Sequence, residues 1–266
     1  MATFVLIHGA GDAGWYWHLV ERLLQQRGHD TLAPDLPCDD DSAGLAEYTD
    51  TVIEAIGGRR GLIVAAQSFG GFTAPLVAAR VSADMLVLVA AMIPAPGEAP
   101  GNWTSNTGFD EVMSQQQQRY SGADLVYHDV PPALAEQARR HGRHQSDTPG
   151  RDPWPLDSWP PVPTRFVLCT QDRFFPPEFM RGVVADRLGV VPAEIAAGHA
   201  VALSRPKELA SLLASYSESV GLSRTRMNSL EGACRLAKRT PRPALVELGG
   251  RLSRTFVFGR ARQFLG

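Results

Sequence analysis

The chain has 266 residues, of which 44% are hydrophobic and 20% are charged, with a formal net charge of −2. This length suits one enzyme-sized domain with or without an appendage, and the apolar fraction excludes a chain that is disordered throughout. Residues 1–220 carry 16 basic and 26 acidic side chains, whereas residues 221–266 carry 10 basic and 2 acidic ones. Because an acidic body repels nucleic acid, no nucleic-acid partner is expected for the main domain.

Apolar runs and cysteines bear on location and cofactors. No run of about 18 apolar residues is present, so we predict no membrane span, and the N-terminal run FVLI is too short for a signal peptide. Cys38, Cys169 and Cys234 are scattered without the spacing of a disulfide framework or a zinc site. We therefore expect a cytoplasmic protein without metal or cofactor, and the sequence leaves the oligomeric state open.

Short apolar runs alternate with amphipathic stretches along most of the chain. The apolar runs predict strands at residues 4–7, 31–33, 62–66, 85–91, 164–169 and 191–196. The amphipathic stretches predict helices at residues 15–27, 45–56, 69–80, 176–188 and 204–220. This alternation predicts an α/β fold with a mostly parallel sheet and helices on both faces. Functional residues of such sheets lie just beyond the carboxyl ends of the strands.

The alternation stops in a stretch at residues 94–163, which holds 11 of the 20 prolines and three of the five tryptophans. Helices are predicted within it at residues 109–120 and 132–141. We interpret the stretch as a small lid inserted into a main domain at residues 1–220, and the alternative is a surface excursion without function. We interpret residues 221–266 as a basic C-terminal appendage that is either disordered or foreign to the domain, and the alternative is an anchor for nucleic acid or acidic lipid.

A glycine-rich loop follows the first predicted strand. Gly9, Gly11 and Gly14 form the pattern G-x-G-x-x-G, and Asp35 lies 21 residues after Gly14, as in dinucleotide-binding folds. Bulky side chains follow at once at residues 15–18, where close approach of pyrophosphate requires small ones. A nucleotide-dependent oxidoreductase is therefore an alternative that the sequence supports weakly.

The turn after the third predicted strand carries the sequence Ala66-Gln67-Ser68-Phe69-Gly70-Gly71. Small residues two positions before and after Ser68 let strand and helix cross closely, which predicts a strained tip with an exposed hydroxyl. The backbone N–H of Phe69 would point the same way and hold an oxyanion. The glycine loop would supply a second N–H, which we assign to Ala10.

Two further polar residues lie at the same predicted edge of the sheet. Asp172 follows the fifth predicted strand, and His199 follows the sixth. A serine hydroxyl needs a base to act as a nucleophile, and the base needs a carboxylate that orients it. We therefore predict a catalytic triad of Ser68, His199 and Asp172. Asp35 and Glu98 are the alternatives for the carboxylate.

These motifs resemble the α/β-hydrolase superfamily across the main domain, and more narrowly the plant methylesterase and hydroxynitrile lyase branch with its bacterial esterase relatives. The matching stretches are FVLIHGA with the following GWYW, then QSFGG, TQDRFFPPEF and GHAVALSRP. The resemblance implies the α/β-hydrolase fold, with Ser68 as nucleophile, His199 as base and Asp172 as its partner. It also implies that the N–H groups of Ala10 and Phe69 form the oxyanion hole.

The two activities of that branch differ at two positions. Hydroxynitrile lyases carry lysine after the catalytic histidine and threonine in the oxyanion loop, where this chain has Ala200 and Gly9. The resemblance therefore favours a serine hydrolase of the carboxylesterase type that cleaves small-molecule esters through an acyl-enzyme. Lyase-type or other α/β-hydrolase chemistry, and a non-catalytic ligand-binding role, are the alternatives. Substrate contacts are predicted in an apolar pocket under the lid, at Gly9, Trp15, Trp103, Trp154 and Phe174.

Overall fold

Six parallel strands form the sheet in residues 1–220, the part of the chain that this computed structural model describes. They are β1 (Thr3–Ile7), β2 (Asp30–Leu32), β3 (Leu62–Gln67), β4 (Ala83–Val89), β5 (Thr164–Cys169) and β6 (Ala193–Ile195). Their spatial order is β2-β1-β3-β4-β5-β6, and each neighbouring pair is parallel. The predicted α/β class is confirmed. The predicted appendage at residues 221–266 lies outside the described residues.

Helices connect the strands and cover both faces of the sheet. They are α1 (His18–Gln25), α2 (Leu45–Ile56), α3 (Gly70–Arg80), α4 (Pro100–Thr107), α5 (Phe109–Arg119), α6 (Gly122–Tyr127), α7 (Pro132–His141), α8 (Thr148–Arg151), α9 (Pro177–Leu188), α10 (Val201–Ser204) and α11 (residues 206–220). Helices α1 and α11 pack against one face, and α2, α3 and α9 pack against the other. Within residues 1–220, no helix is both long and apolar enough to cross a bilayer.

The central strands are buried on both faces of the sheet. Every side chain of β1 and β3 is buried. Successive side chains of β1 alternate between two hydrophobic cores, so that Val5 and Ile7 belong to one and Phe4 and Leu6 to the other. A strand that packs on both faces reads as an uninterrupted apolar run, and this is why these strands are recognisable in the sequence.

Two predicted helices are interrupted in the structure. The helix after the glycine loop begins as a 3-10 turn (Gly14–Trp17), where the carbonyl of Trp15 accepts hydrogen bonds from the backbone N–H and the ring Nδ1–H of His18. The last predicted helix is broken at Arg205, between α10 and α11. Pro206 has no N–H with which to continue the hydrogen-bond ladder of α10.

The insertion (residues 94–163) joins β4 to β5 and contains the five helices α4 to α8. Hydrophobic periodicity predicts α5 and α7, whereas the other three are shorter and depend on tertiary contacts. Trp103 in α4 is fully buried and donates its Nε1–H to the carbonyl of Ile93. Glu98 forms a buried bidentate ion pair with Arg187 of α9, at 2.5 and 2.9 Å. These contacts fix the insertion to the rest of the domain.

Candidate active site

Ser68 lies at the sharp turn between β3 and α3. Its backbone φ is +51°, a left-handed conformation that strains any residue other than glycine. A Cβ atom at Gly70 would lie 2.7 Å from the carbonyl oxygen of His8, and one at Gly71 would lie 1.9 Å from that of Met92. The packing of α3 against these loops therefore requires the small residues that follow the serine.

A row of hydrogen bonds connects Ser68, His199 and Asp172. The Ser68 hydroxyl donates to His199 Nε2 at 3.2 Å, and His199 Nδ1–H donates to Asp172 Oδ2 at 2.8 Å. The other carboxylate oxygen, Oδ1, accepts the backbone N–H groups of Phe174 at 2.8 Å and Phe175 at 2.9 Å. Asp172 is 4% and His199 5% exposed, so the row is shielded from water. The structure brings the three predicted residues together, and the arrangement can transfer a proton from the serine to the imidazole.

Gln67, the last residue of β3, is a member of the site that the sequence did not reveal. Its buried side-chain amide donates to His199 Nε2 at 3.0 Å and to the His199 carbonyl at 3.4 Å. The Nε2 lone pair of His199 thus accepts hydrogen bonds from both Gln67 and Ser68. A Cβ atom at Gly9 would lie only 2.5 Å from Gln67 Oε1, so this amide also lies against the glycine loop. Neighbouring sequence could not reveal contacts with residues so distant in the chain.

His8 holds the glycine loop beside the serine. Its ring is fully buried, Nδ1–H donates to the carbonyl of Gly9 at 2.8 Å, and Nε2 accepts the N–H of Leu36 at 3.0 Å. Burial lowers the pKa of His8 to about 4, against the opposing hydrogen bond to Gly9, so the ring is neutral at neutral pH. Phe69 follows Ser68 in the chain, and Ala10 lies on the glycine loop. Within residues 1–220 no acceptor is found for the backbone N–H groups of these two residues.

A cavity of about 310 Å³ opens at Ser68. Predicted site residues that line it are Ser68, His199, Gly9, Ala10 and Phe174. Lining residues that no sequence motif indicated are Asp12, Tyr16, Gln67, Val126 and Tyr127. Val126 and Tyr127 belong to α6, so the insertion forms one wall of the cavity.

The three tryptophans predicted as substrate contacts do not line this cavity, and that part of the prediction is corrected. Trp103 and Trp154 lie in the hydrophobic core, where their ring N–H groups donate to backbone carbonyls. Trp15 stacks between the rings of His18 and His141, with centroid distances of 4.3 Å to each. A large ring with one polar group gains most from burial against apolar neighbours with a carbonyl in reach, which the core provides.

Asp12 projects from the glycine loop into the cavity. Its Oδ1 accepts the backbone N–H of the next residue, Ala13, at 2.9 Å. Burial raises the pKa of Asp12 to about 6; the hydrogen bond from Ala13 opposes this shift, and the nearby charge of Asp35 adds to it. Asp12 therefore differs from the usual surface aspartate, which ionises near pH 4.

The two carboxylates considered as alternatives to Asp172 and the glycines of the nucleotide motif contact other groups of the protein. Asp35 accepts the N–H of Gly14 at 2.7 Å, and Glu98 is paired with Arg187. A Cβ atom at Gly14 would lie 1.9 Å from the carbonyl oxygen of Ala33, so this glycine is needed for packing against the loop after β2. The G-x-G-x-x-G pattern is thus explained by contacts within the protein.

Known proteins share this fold and parts of this sequence. The profile of the alpha/beta hydrolase family matches residues 4–212. Norfluorocurarine synthase 1 from a Strychnos species is 24% identical over 255 residues, with 82% of this chain and 96% of that protein covered. Salicylic acid-binding protein 2 of Nicotiana tabacum is 26% identical over 252 residues, with 79% and 95% covered.

Solved structures of other proteins also share this fold. Polyneuridine aldehyde esterase superposes with a TM-score of 0.69 at 20% identity, covering 82% of this chain and 99% of its own. A pyrethroid hydrolase from Sphingobium faniae JZ-2 superposes with a TM-score of 0.66 at 22% identity, covering 82% and 97%. The predicted α/β-hydrolase fold and the predicted resemblance are confirmed.

Proposed function

Because the chain belongs to the alpha/beta hydrolase family, we propose that it is a serine hydrolase that cleaves small carboxylic esters. The observation that carries this proposal is the row from Ser68 Oγ to His199 Nε2 (3.2 Å) and from His199 Nδ1 to Asp172 Oδ2 (2.8 Å). The names of two structural neighbours, polyneuridine aldehyde esterase and a pyrethroid hydrolase, also favour hydrolysis of an ester.

Acylation begins when His199 removes the proton of the Ser68 hydroxyl. The serine oxygen attacks the ester carbonyl, and the negative charge that develops on the carbonyl oxygen is held by the N–H groups of Ala10 and Phe69. His199 then returns the proton to the departing alcohol, which leaves an acyl group on Ser68. In deacylation, His199 removes a proton from a water molecule that attacks this acyl group, and returns the proton to Ser68 Oγ as the bond to the acyl group breaks and the acid leaves.

Asp172 stabilises the positive charge that His199 acquires in both steps. Its Oδ2 accepts a hydrogen bond from Nδ1–H of His199. This fixes the tautomer in which Nε2 is unprotonated and directs its lone pair to the serine. The N–H groups of Phe174 and Phe175 hold Oδ1, so the carboxylate keeps its orientation while the imidazole changes charge. The rings of these phenylalanines lie 4.8 and 5.2 Å from the His199 ring and exclude water from the pair.

The cavity lining favours hydrolysis over cyanohydrin cleavage. Hydroxynitrile lyases, which resemble this chain, carry lysine at the position of Ala200, and a cation there supports the departing cyanide. Ala200 lines the cavity, and none of the lining residues within the described part of the chain is lysine or arginine. A non-catalytic binding role makes a different prediction, namely no turnover.

The test is turnover of p-nitrophenyl acetate, butyrate and hexanoate together with labelling by a fluorophosphonate. The native protein is compared with Ser68→Ala and with a matched control, Ser215→Ala, whose exposed hydroxyl lies on α11. We expect Ser68→Ala to lose all labelling and to lose turnover by at least about 10³-fold. Ser215→Ala should be indistinguishable from the native protein.

Two results would contradict the proposal. One is a folded native protein that neither hydrolyses the esters nor takes the label, which would favour a binding role. The other is turnover that survives in Ser68→Ala, which would assign the reaction to another residue.

A further inference from the structure

The cavity at Ser68 contains a second carboxylate that the proposed mechanism does not use. Asp12 lines the same cavity as Ser68 and His199, on the loop that carries Ala10. Two residues of chain span at most about 7 Å between Cα atoms. Asp12 and the Ala10 N–H, where the substrate carbonyl would bind, therefore lie in one cavity and close together along the chain.

The fold gives this carboxylate no cationic partner. The one hydrogen bond that it accepts from the described residues comes from the N–H of the adjacent Ala13, at 2.9 Å. Among residues 1–220, Asp12 forms no ion pair with lysine, arginine or histidine. The carboxylate of Asp35, a like charge, opposes its ionisation. A partly buried acid in these surroundings costs the folded protein stability when it ionises, and a serine or an asparagine could accept the same Ala13 N–H.

Aromatic side chains share the cavity with the carboxylate. Tyr16, Tyr127 and Phe174 line the same cavity. Burial raises the pKa of both tyrosines, and the charge of Asp12 adds to each shift, so the two phenols are neutral at neutral pH. Aromatic faces attract cations, most strongly where water is excluded. A carboxylate and three rings form surroundings that favour a positively charged group.

We propose that Asp12 is a specificity-determining residue that makes the cavity prefer esters carrying a cationic amine a few atoms from the ester carbonyl. This inference rests on the proposed esterase function, because it describes the substrate of that same site. The ammonium group replaces the missing partner of Asp12 and lies against the rings of Tyr16 and Tyr127. The substrate then supplies the charge that the fold itself does not.

The experiment uses pairs of esters that differ only in charge. The first pair places the charge on the alcohol and consists of acetylcholine and 3,3-dimethylbutyl acetate. Their hydrolysis is measured by the release of acetic acid. The second pair places it on the acid: the p-nitrophenyl esters of 4-(trimethylammonio)butyrate and 5,5-dimethylhexanoate. Values of kcat/KM are measured at pH 8 for the native protein, for Asp12→Asn and for Asp12→Ser. Asp41→Asn, an exposed acid outside the cavity lining, is the matched control for loss of one charge.

In at least one pair, we expect the native protein to prefer the cationic ester by roughly tenfold or more, the size of one favourable charge contact. Both Asp12 variants should abolish this preference, measured as the ratio of kcat/KM for the cationic ester to that for the neutral ester, and Asp41→Asn should retain it. The pair that shows the effect identifies the side of the ester that carries the amine. Equal use of the cationic and neutral esters, or a preference that survives in both variants, would overturn the proposal.

Failure of the esterase function gives a separate signal. If p-nitrophenyl acetate is not hydrolysed and Ser68 is not labelled, the subsite is tested by calorimetric titration of choline into the native protein and into Asp12→Asn. Binding to the native protein that is lost in Asp12→Asn supports a cation subsite. Absence of choline binding to the native protein rejects it.

Discussion

Two loops at the carboxyl edge of the sheet each bring an aspartate to the site, and the two carboxylates differ in the number of hydrogen-bond donors around them. The loop after β5 gives Asp172 two backbone N–H donors, and the ring of His199, which follows β6, gives it a third. The loop after β1 offers Asp12 a single donor, from Ala13, and places it near the like charge of Asp35.

The comparison shows that position at a strand end does not by itself define the role of a carboxylate. A buried carboxylate whose acceptors are filled by fixed donors is held rigidly, which suits a residue that orients a base. A carboxylate with unfilled acceptor capacity in a cavity is free to meet a ligand. The number and kind of donors therefore separate an orienting residue from a candidate substrate contact.

The largest effect is expected at Asp172. In Asp172→Asn the amide can still accept the N–H groups of Phe174 and Phe175, but its NH₂ would face His199 and stabilise the wrong tautomer. We expect kcat for p-nitrophenyl butyrate to fall by about 10⁴-fold with KM little changed. Asp110→Asn, an exposed acid on α5, is the control. Retention of kcat within about tenfold would show that Asp172 does not orient the base.

The next effect concerns Gln67, which contacts both sides of the site. In Gly9→Ala the new Cβ atom would lie 2.5 Å from Gln67 Oε1 and 3.0 Å from Ser68 Cβ, so it must displace one of them. Because displacements near 1 Å cost about 10²-fold, we expect a fall of that order in kcat/KM. Gln67→Ala removes the closer contact, and the double variant should regain part of the loss. A double variant less active than either single one would exclude this clash as the cause.

A smaller effect, of opposite sign to that of most substitutions, is expected for the stability of Asp12→Asn. The pKa of Asp12 is raised to about 6 in the folded protein, so ionisation above that pH destabilises the fold. Removing the charge should increase the free energy of unfolding in urea at pH 8 by about 3 kcal/mol. Asp41→Asn should change it by less than about 0.5 kcal/mol. A decrease in Asp12→Asn would show that the carboxylate has a stabilising partner.

The smallest effect is a change in how stability depends on pH. The pKa of His8 is lowered to about 4 and that of Asp12 is raised to about 6, so the two contribute opposite slopes between those values. As the pH falls from 6 to 4, unfolded His8 takes up a proton that the folded ring does not, and stability is lost. Folded Asp12 takes up a proton before the unfolded chain does, and stability is gained.

Asp12→Asn removes the gain and leaves the loss. Its free energy of unfolding should therefore fall more steeply on acidification than that of the native protein, by at most about 1.4 kcal/mol per pH unit. Urea unfolding at pH 6, 5 and 4 measures the difference. Parallel curves for the two proteins would contradict the shifted pKa of Asp12.

Local patterns allowed part of this site to be predicted. The turn at Ser68 is recognisable because close crossing of strand and helix requires small neighbours, and each such requirement is visible within a few residues. Asp172 and His199 could be selected because the ends of parallel strands lie at one edge of the sheet. The tryptophans do not line the cavity as predicted. A large apolar side chain indicates an apolar environment but not whether that environment is a cavity or the core.

The sequence by itself determined the order of strands and helices, the fold class and the residues that its motifs bring to the sheet edge. These follow from periodicity and from steric needs within a few positions of the chain. Only the tertiary structure decided that Gln67 contacts His199, that α6 forms a wall of the cavity and that Asp12 has no cationic partner among residues 1–220. Such features depend on side chains that are distant in sequence and meet only after the sheet has formed, so no local pattern encodes them.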